Sequence, residues 1–218
     1  MTDFAAARFF MVEGQIRPNK VTDHRLVDVL SETPRELFVP ESARGVAYVD
    51  DDLPLGNGRY LLEPMVFARM LQFVSVQETD RVLDVGCAGG YSTAVLARLA
   101  ASVVGVDSDA GLTATATAAL AAQGVANATI VTAPMAEGYA QSGPYDVIVI
   151  EGTIPEVPAA LAAQLAEDGR LVAIVRDERG VGEVRLFQRA GGVLSSRILF
   201  EAQPHALPGF EKKTSFVF

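Results

Sequence analysis

Residues 81–98 read Arg-Val-Leu-Asp-Val-Gly-Cys-Ala-Gly-Gly-Tyr-Ser-Thr-Ala-Val-Leu-Ala-Arg, and few folds accommodate such a stretch. Val82–Val85 is a short apolar run suited to a buried strand, Gly86–Gly90 is a turn of small residues, and Tyr91–Leu99 has helical spacing. Side chains are nearly absent from the turn, so a ligand can approach bare backbone N–H groups at a helix N-terminus, where partial positive charge collects. The stretch therefore reads as a cofactor seat.

Three neighbours support that reading. Asp84 lies at the carboxyl end of the strand, where open parallel sheets bind ligands. A second apolar run, Ser102–Val106, leads to Asp107, about twenty residues past Gly86, the place from which an acid takes two ribose hydroxyls. Residues 144–150, Pro-Tyr-Asp-Val-Ile-Val-Ile, supply another buried strand. The spacing D-x-G-x-x-G-G also differs from the dinucleotide pattern G-x-G-x-x-G. An acid at the turn repels a pyrophosphate but favours the α-ammonium of a methionine moiety. The pattern points to S-adenosylmethionine rather than NAD, with a cofactor-free domain carrying a tight turn as the plain alternative.

The composition narrows the partners. A chain of 218 residues suits one domain with an elaborated end, or at most two small ones, and 50% hydrophobic residues can fill a large core. A net charge of -9 with no visible basic patch argues against nucleic acid or an anionic membrane as partner. The single cysteine, Cys87, excludes a disulfide framework and a zinc cluster, and no metal site is expected. His24 and His205 are too isolated for a metal or a catalytic dyad. The N-terminus, with Asp3, Arg8 and Glu13, shows no apolar segment of signal-peptide or membrane-span length, which implies a cytoplasmic protein. Oligomeric state is not legible.

Along the chain, residues 2–15 show an apolar helical face from Phe4, Phe9, Phe10 and Val12, stopped by Pro18. Thr22 is placed to cap a helix over Asp23–Leu30, and Pro34–Phe38 reads as a helical turn. The acid-rich segment Asp50–Pro64 reads as a loop, either an active-site wall or a plain surface connection, leading into a helix over Met65–Val74. Helices are expected over Ala110–Gln123 and Glu156–Ala166, and strands over Thr129–Thr132, Tyr145–Glu151 and Arg170–Val175. A hairpin of Glu183–Arg189 and Val193–Phe200 turns at Gly191-Gly192, and Thr214–Phe218 adds a last strand. Such alternation predicts an α/β fold: a doubly wound, mostly parallel, seven-stranded Rossmann-like sheet with helices on both faces and an N-terminal helical extension. Residues 1–218 read as one methyltransferase domain, with 1–80 the helical cap and substrate-side loop and 81–218 the cofactor-binding core.

Several segments together resemble the protein-L-isoaspartate O-methyltransferases: Met11–Arg17, Pro34–Pro40, Ala47-Tyr48, Leu53–Gly58, Arg81–Ala97, and Ile154–Pro158 through Gly169–Val172. The resemblance implies methyl transfer from S-adenosylmethionine to the abnormal carboxylate of isoaspartyl residues in damaged proteins. It implies that Asp84, Gly86 and Gly90 cradle the methionine part and Asp107 the ribose, with Cys87, Ser108, Met135 and Glu151 as further cofactor-binding positions. Three positions depart from the family. Ala88 replaces a loop glycine, an exchange that costs energy where φ is positive. Ala133-Pro134 replaces a Gly-Asp pair whose acid faces the adenine. Residues 59–64, Arg-Tyr-Leu-Leu-Glu-Pro, put Leu62 where the family has the serine of its reaction centre, and Arg59 is placed to offset the acids Asp50–Asp52 and Glu63 near the acceptor. Leu62 and Glu63 leave open a methyltransferase with a different small-molecule or protein acceptor. The departures together leave open a non-catalytic interaction module on the same fold.

Overall fold

The computed structural model describes residues 3–176 and 179–211. The N-terminal part holds two α-helices, α1 (Phe4–Met11) and α2 (His24–Glu32), with a π-helical stretch, Val12–Ile16, continuing α1. The cap of α2 is Asp23 rather than Thr22, because the Asp23 carboxylate accepts the Leu26 N–H at 3.2 Å. Next comes a two-stranded hairpin, β1 (Leu53–Gly56) and β2 (Arg59–Leu61), then α3 (Pro64–Val74) with proline at its first turn.

From β3 (Arg81–Val85) onward strands and helices alternate: α4 (Tyr91–Ala97), β4 (Ser102–Asp107), α5 (Ala110–Ala122), β5 (Ala128–Thr132), β6 (Tyr145–Ile154), α6 (Ala159–Ala163) and β7 (Leu165–Arg176). Two antiparallel strands, β8 (Gly182–Ala190) and β9 (Val193–Glu201), close the sheet. The seven strands lie in the order β5-β4-β3-β6-β7-β8-β9, with the first five parallel. The chain leaves β3 towards β4 on one side and later returns to β6 on the other, so the crevice at the carboxyl ends of β3, β4 and β6 is the topological switch point.

Alternation along the strands divides the core between the two faces. Val147, Val149 and Val172 pack with Met11, Leu30, Phe67 and Val95 from the N-terminal elements, α3 and α4, whereas Ile148, Ile150 and Leu171 pack with Leu161 of α6, Leu207 and Phe210. The N-terminal helices thus share one core with the sheet.

Two expectations need correction. The segment 50–64 is not a loop throughout, since it contains the β1–β2 hairpin, and the helix foreseen over Glu156–Ala166 shrinks to α6 because β7 begins at Leu165. Tyr145 pairs with Leu165 and Val147 with Arg170, so Ala166–Gly169 bulge out of the ladder, with Asp168 at φ 60. The strand foreseen over Thr214–Phe218 lies outside the described residues.

Candidate active site

Residues 86–90 form the β3–α4 turn, and three of them have positive φ: Gly86 at 85, Ala88 at 45 and Gly90 at 91. Two are glycine and adopt this freely, but Ala88 is strained by about 1–2 kcal/mol. The Gly86 N–H donates to Val106 O at 2.8 Å and the Gly90 N–H to Cys87 O at 2.8 Å, which holds the turn against the end of β4.

Asp84 is fully buried beneath this turn. Its Oδ2 accepts the Ser92 hydroxyl at 2.7 Å and the Thr93 hydroxyl at 2.6 Å, while its Oδ1 has no partner among the described residues. Burial pushes its pKa up to about 6; the two hydroxyls pull down, Asp107 pushes up and Arg59 pulls down. Glu151, on β6, is also buried and has an unpartnered Oε1. Burial drives its pKa well upward, with Asp84 adding to the rise and Arg59 and Arg35 opposing it. Burial likewise pushes the Cys87 thiol up, reinforced by Asp84 and Asp107, so it is a protonated loop residue and no nucleophile.

Asp107 ends β4. Its Oδ1 accepts the Asp109 N–H at 3.0 Å, and its Oδ2 accepts the Ala88 N–H at 3.0 Å and Arg59 Nη2 at 2.7 Å. Arg59 Nη2 also donates to Gly86 O at 2.8 Å, and the side chain is only 4% exposed. Arg59 therefore does not offset the acids 50–52 and Glu63: its guanidinium turns inward to Asp107.

The other foreseen residues fall into two separate spaces. Ser108 and Met135 line an open cavity of about 410 Å³ together with Thr132, Ala133, Pro134 and Gly209. Arg59, Leu62 and Glu151 share a second space of only about 10 Å³ with Asp52, Tyr60, His205 and Leu207, room for about one water. Leu62 is buried, and its carbonyl accepts Arg35 Nη2 at 2.5 Å. Next to this space, Asp51, Asp52, Glu63 and His205 line a cavity of about 350 Å³, and burial, then Asp52, Asp50 and Asp51, raise the Glu63 pKa.

A family model described as protein-L-isoaspartate(D-aspartate) O-methyltransferase matches residues 10–201. The chain belongs to that family. A protein-L-isoaspartate O-methyltransferase from Methanoculleus marisnigri is 39% identical over 183 residues, 84% of this chain and 83% of its own length. One of the same name from Roseiflexus castenholzii is 35% identical over 201 residues, covering 92% and 91%. In solved structures, a putative family member from Plasmodium falciparum in complex with S-adenosyl-L-homocysteine superposes with a TM-score of 0.80 at 16% identity, covering 96% of this chain and all of that one. That likeness establishes the methyltransferase fold.

Two further groups help build the site beyond the residues foreseen from the sequence. One is the segment 203–207: Thr153 N–H donates to His205 O at 3.0 Å and Leu207 N–H to Thr153 O at 2.8 Å, so a strand-like bridge carries Leu207 over Gly86 and Gly152. Nothing in the local sequence announces it, because the contact depends on chain folding back onto β6. The other is the pair His205 and Tyr60, whose rings stack 3.6 Å apart while His205 Nδ1 lies 3.1 Å from Asp52 Oδ2. The hairpin that carries Tyr60 was findable, since Asn57-Gly58 is the strongest short hairpin signal.

Proposed function

We propose that this protein is an S-adenosylmethionine-dependent carboxyl O-methyltransferase acting on isoaspartyl residues of damaged proteins. The family membership over residues 10–201 supports the reaction class. The structural observation that carries the reading is Asp84 Oδ1, a buried carboxylate oxygen without a partner among the described residues, beside a turn of bare backbone. Such an oxygen favours a cation, and the methionine part of S-adenosylmethionine offers an ammonium. Gly86 and Gly90 supply a turn without side chains, though Arg59 and Leu207 lie over Gly86 and Ala116 lies against Gly90; Asp107 is the acid for the ribose, and Ser108, Met135 and the open cavity beside them suit the base. Cys87 contributes backbone at the turn, and Glu151, whose buried Oε1 has no partner among the described residues, is a further acid in the field of Asp84 and Arg59.

The cofactor supplies a methyl group activated on a sulfonium. The acceptor, an isoaspartyl carboxylate with a pKa near 4, is ionised at neutral pH and needs no general base. The protein's task is to align two reactants and exclude water, so the barrier falls chiefly through positioning. Leu62 excludes water on the acceptor side but donates no hydrogen bond, which predicts a slow enzyme. The unpaired, buried Cys87 suits a reducing compartment, and the reading places the protein in the cytoplasm.

The test is methyl transfer from S-adenosylmethionine to an isoaspartyl peptide, with the aspartyl isomer as control. Base-labile methyl ester on the isoaspartyl peptide alone is expected. Leu62→Ser restores a hydroxyl donor worth about 1–3 kcal/mol, so the rate should rise roughly ten- to a hundredfold. No ester formation in either folded, cofactor-bound protein overturns the acceptor assignment.

A further inference from the structure

We propose that Arg59 is a displaceable internal occupant of the nucleoside seat: guanidinium and ribose compete for Asp107, and the cofactor binds only by driving Arg59 out. This rests on the cofactor reading above and adds a gate to it.

Asp107 is largely engaged as it stands, with Oδ2 filled and one position left on Oδ1. Its Oδ2 accepts from Arg59 Nη2 at 2.7 Å, Arg59 Nε at 3.2 Å and the Ala88 N–H at 3.0 Å, and Oδ1 accepts the Asp109 N–H. A carboxylate offers about four acceptor positions, so two ribose hydroxyls cannot be added while Arg59 stays. The ground above Gly86 is filled as well. A Cβ built there would lie 3.1 Å from Arg59 Nη2 and 3.0 Å from Leu207 Cδ1, so the protein's own side chains occupy the place where a ligand would meet bare backbone.

Arg59 leaves by its side chain alone, since Leu53, Leu55 and Leu61 hold its carrier to the core. That carrier is the β1–β2 hairpin, which pairs only with itself through Leu53–Leu61, Pro54–Tyr60 and Gly56–Arg59 and is no part of the seven-stranded sheet. A second acid already lies in the field of the guanidinium. Glu151, lining the same small space, has a buried Oε1 without a partner. Arg59 thus lies in the field of two acids, Asp107 and Glu151, and a ligand that prefers one arrangement shifts the balance between them.

Calorimetric titration of the wild type, Arg59→Ala and Arg59→Gln with S-adenosylhomocysteine, adenosine and methionine tests this. Removing Arg59 leaves Asp107 buried without a counter-charge, and ribose hydroxyls relieve that state. Arg59→Ala is expected to bind S-adenosylhomocysteine and adenosine at least about tenfold more tightly than the wild type, with methionine unchanged. Its melting temperature without ligand should be lower and its gain on saturation larger. Arg59→Gln, which keeps a donor for Gly86 O but no charge, should fall between the two and serves if Arg59→Ala does not fold. A silent wild type beside a binding variant supports the gate and the cofactor reading together. Equal or weaker binding by the variants overturns the gate, while a binding wild type leaves the cofactor reading standing. An equal gain for methionine also overturns it, and no binding by any folded form overturns both.

Discussion

Gly89 lies directly against the backbone of Phe38: a Cβ built on Gly89 would come within 2.3 Å of the Phe38 carbonyl oxygen and 3.3 Å of its carbon. The obstacle is backbone on both sides, so neither part can give way cheaply. This contact clamps the N-terminal cap onto the cofactor turn. Gly89→Ala is therefore expected to cost more than about 2 kcal/mol, measured as a lower urea midpoint, because overpacking against a fixed atom forces the segments apart. Gly14→Ala is the control, since nothing lies within 4 Å of its Cβ position and it sits in the helical stretch Val12–Ile16. Alanine there should be neutral or stabilising by up to about 1 kcal/mol. Equal effects of the two changes would refute the clamp.

Asp84 gives the ligand-free protein a pH signature of definite sign. Unfolded, its carboxyl ionises near 3.8; folded, burial holds the proton until about 6. The folded state thus binds more protons across that window, so this group's contribution is complete below about 4 and is lost as pH rises through about 6, a difference of about 3 kcal/mol. Glu151 shifts in the same direction. Urea unfolding of the wild type and Asp84→Asn from pH 4 to pH 8 should show the variant's curve flatter, with the gap growing as pH rises. S-adenosylhomocysteine, which brings an ammonium, should bind the wild type more tightly as pH passes 6 and lose that dependence in the variant. Parallel stability curves would show that Asp84 does not carry the effect.

Asn57 fastens the hairpin at its tip. It sits at φ 51, followed by Gly58 at φ 70, and its Nδ2 donates to Asp109 Oδ2 at 2.7 Å. Asp109 in turn caps α5 through the Gly111 and Leu112 N–H groups. Asn57→Ala loses both the bond and a residue tolerant of the left-handed region, at a local cost of about 1–2 kcal/mol. Amide exchange over residues 53–61 should quicken, while that of β3 and β6 stays at the wild-type rate. Unchanged exchange in the hairpin would mean that the Arg59 pair and the buried Leu53, Leu55 and Leu61 hold it without Asn57.

The core was legible because its signals are local. Residues 81–107 contain strand, glycine turn, helix, strand and the two acids in one continuous run, and their periodicity and spacing follow directly from how β3, α4 and β4 bury their side chains. What stayed hidden depends on contacts between distant segments. The Arg59–Asp107 pair joins residues 48 positions apart, and Leu207 reaches Gly86 only after the whole sheet has formed. Ala88 shows the limit from the other side. The sequence revealed that a glycine was missing, and only the backbone angle of φ 45 decided that the exchange is a strained one.

The acidic wall should select among acceptors by charge. Asp51, Asp52 and Glu63 line the cavity of about 350 Å³ beside Leu62, and the pKa of Glu63 is raised by burial and by Asp52, Asp50 and Asp51 around it. The Glu63 N–H donates to Asp52 Oδ1 at 2.9 Å, which fixes the two acids as neighbours. With Arg59 turned towards Asp107, no arginine or lysine among the described residues lines that cavity. A like charge about 4 Å away costs an incoming group roughly 1 kcal/mol in water and more where solvent is excluded. Isoaspartyl peptides flanked by lysine or arginine should therefore show kcat/KM about fivefold or more above peptides flanked by glutamate, through KM. Glu63→Gln should narrow that preference, and raising the salt concentration should narrow it further. Equal kcat/KM for the two peptide sets at low salt would mean that the acceptor does not pass along this wall.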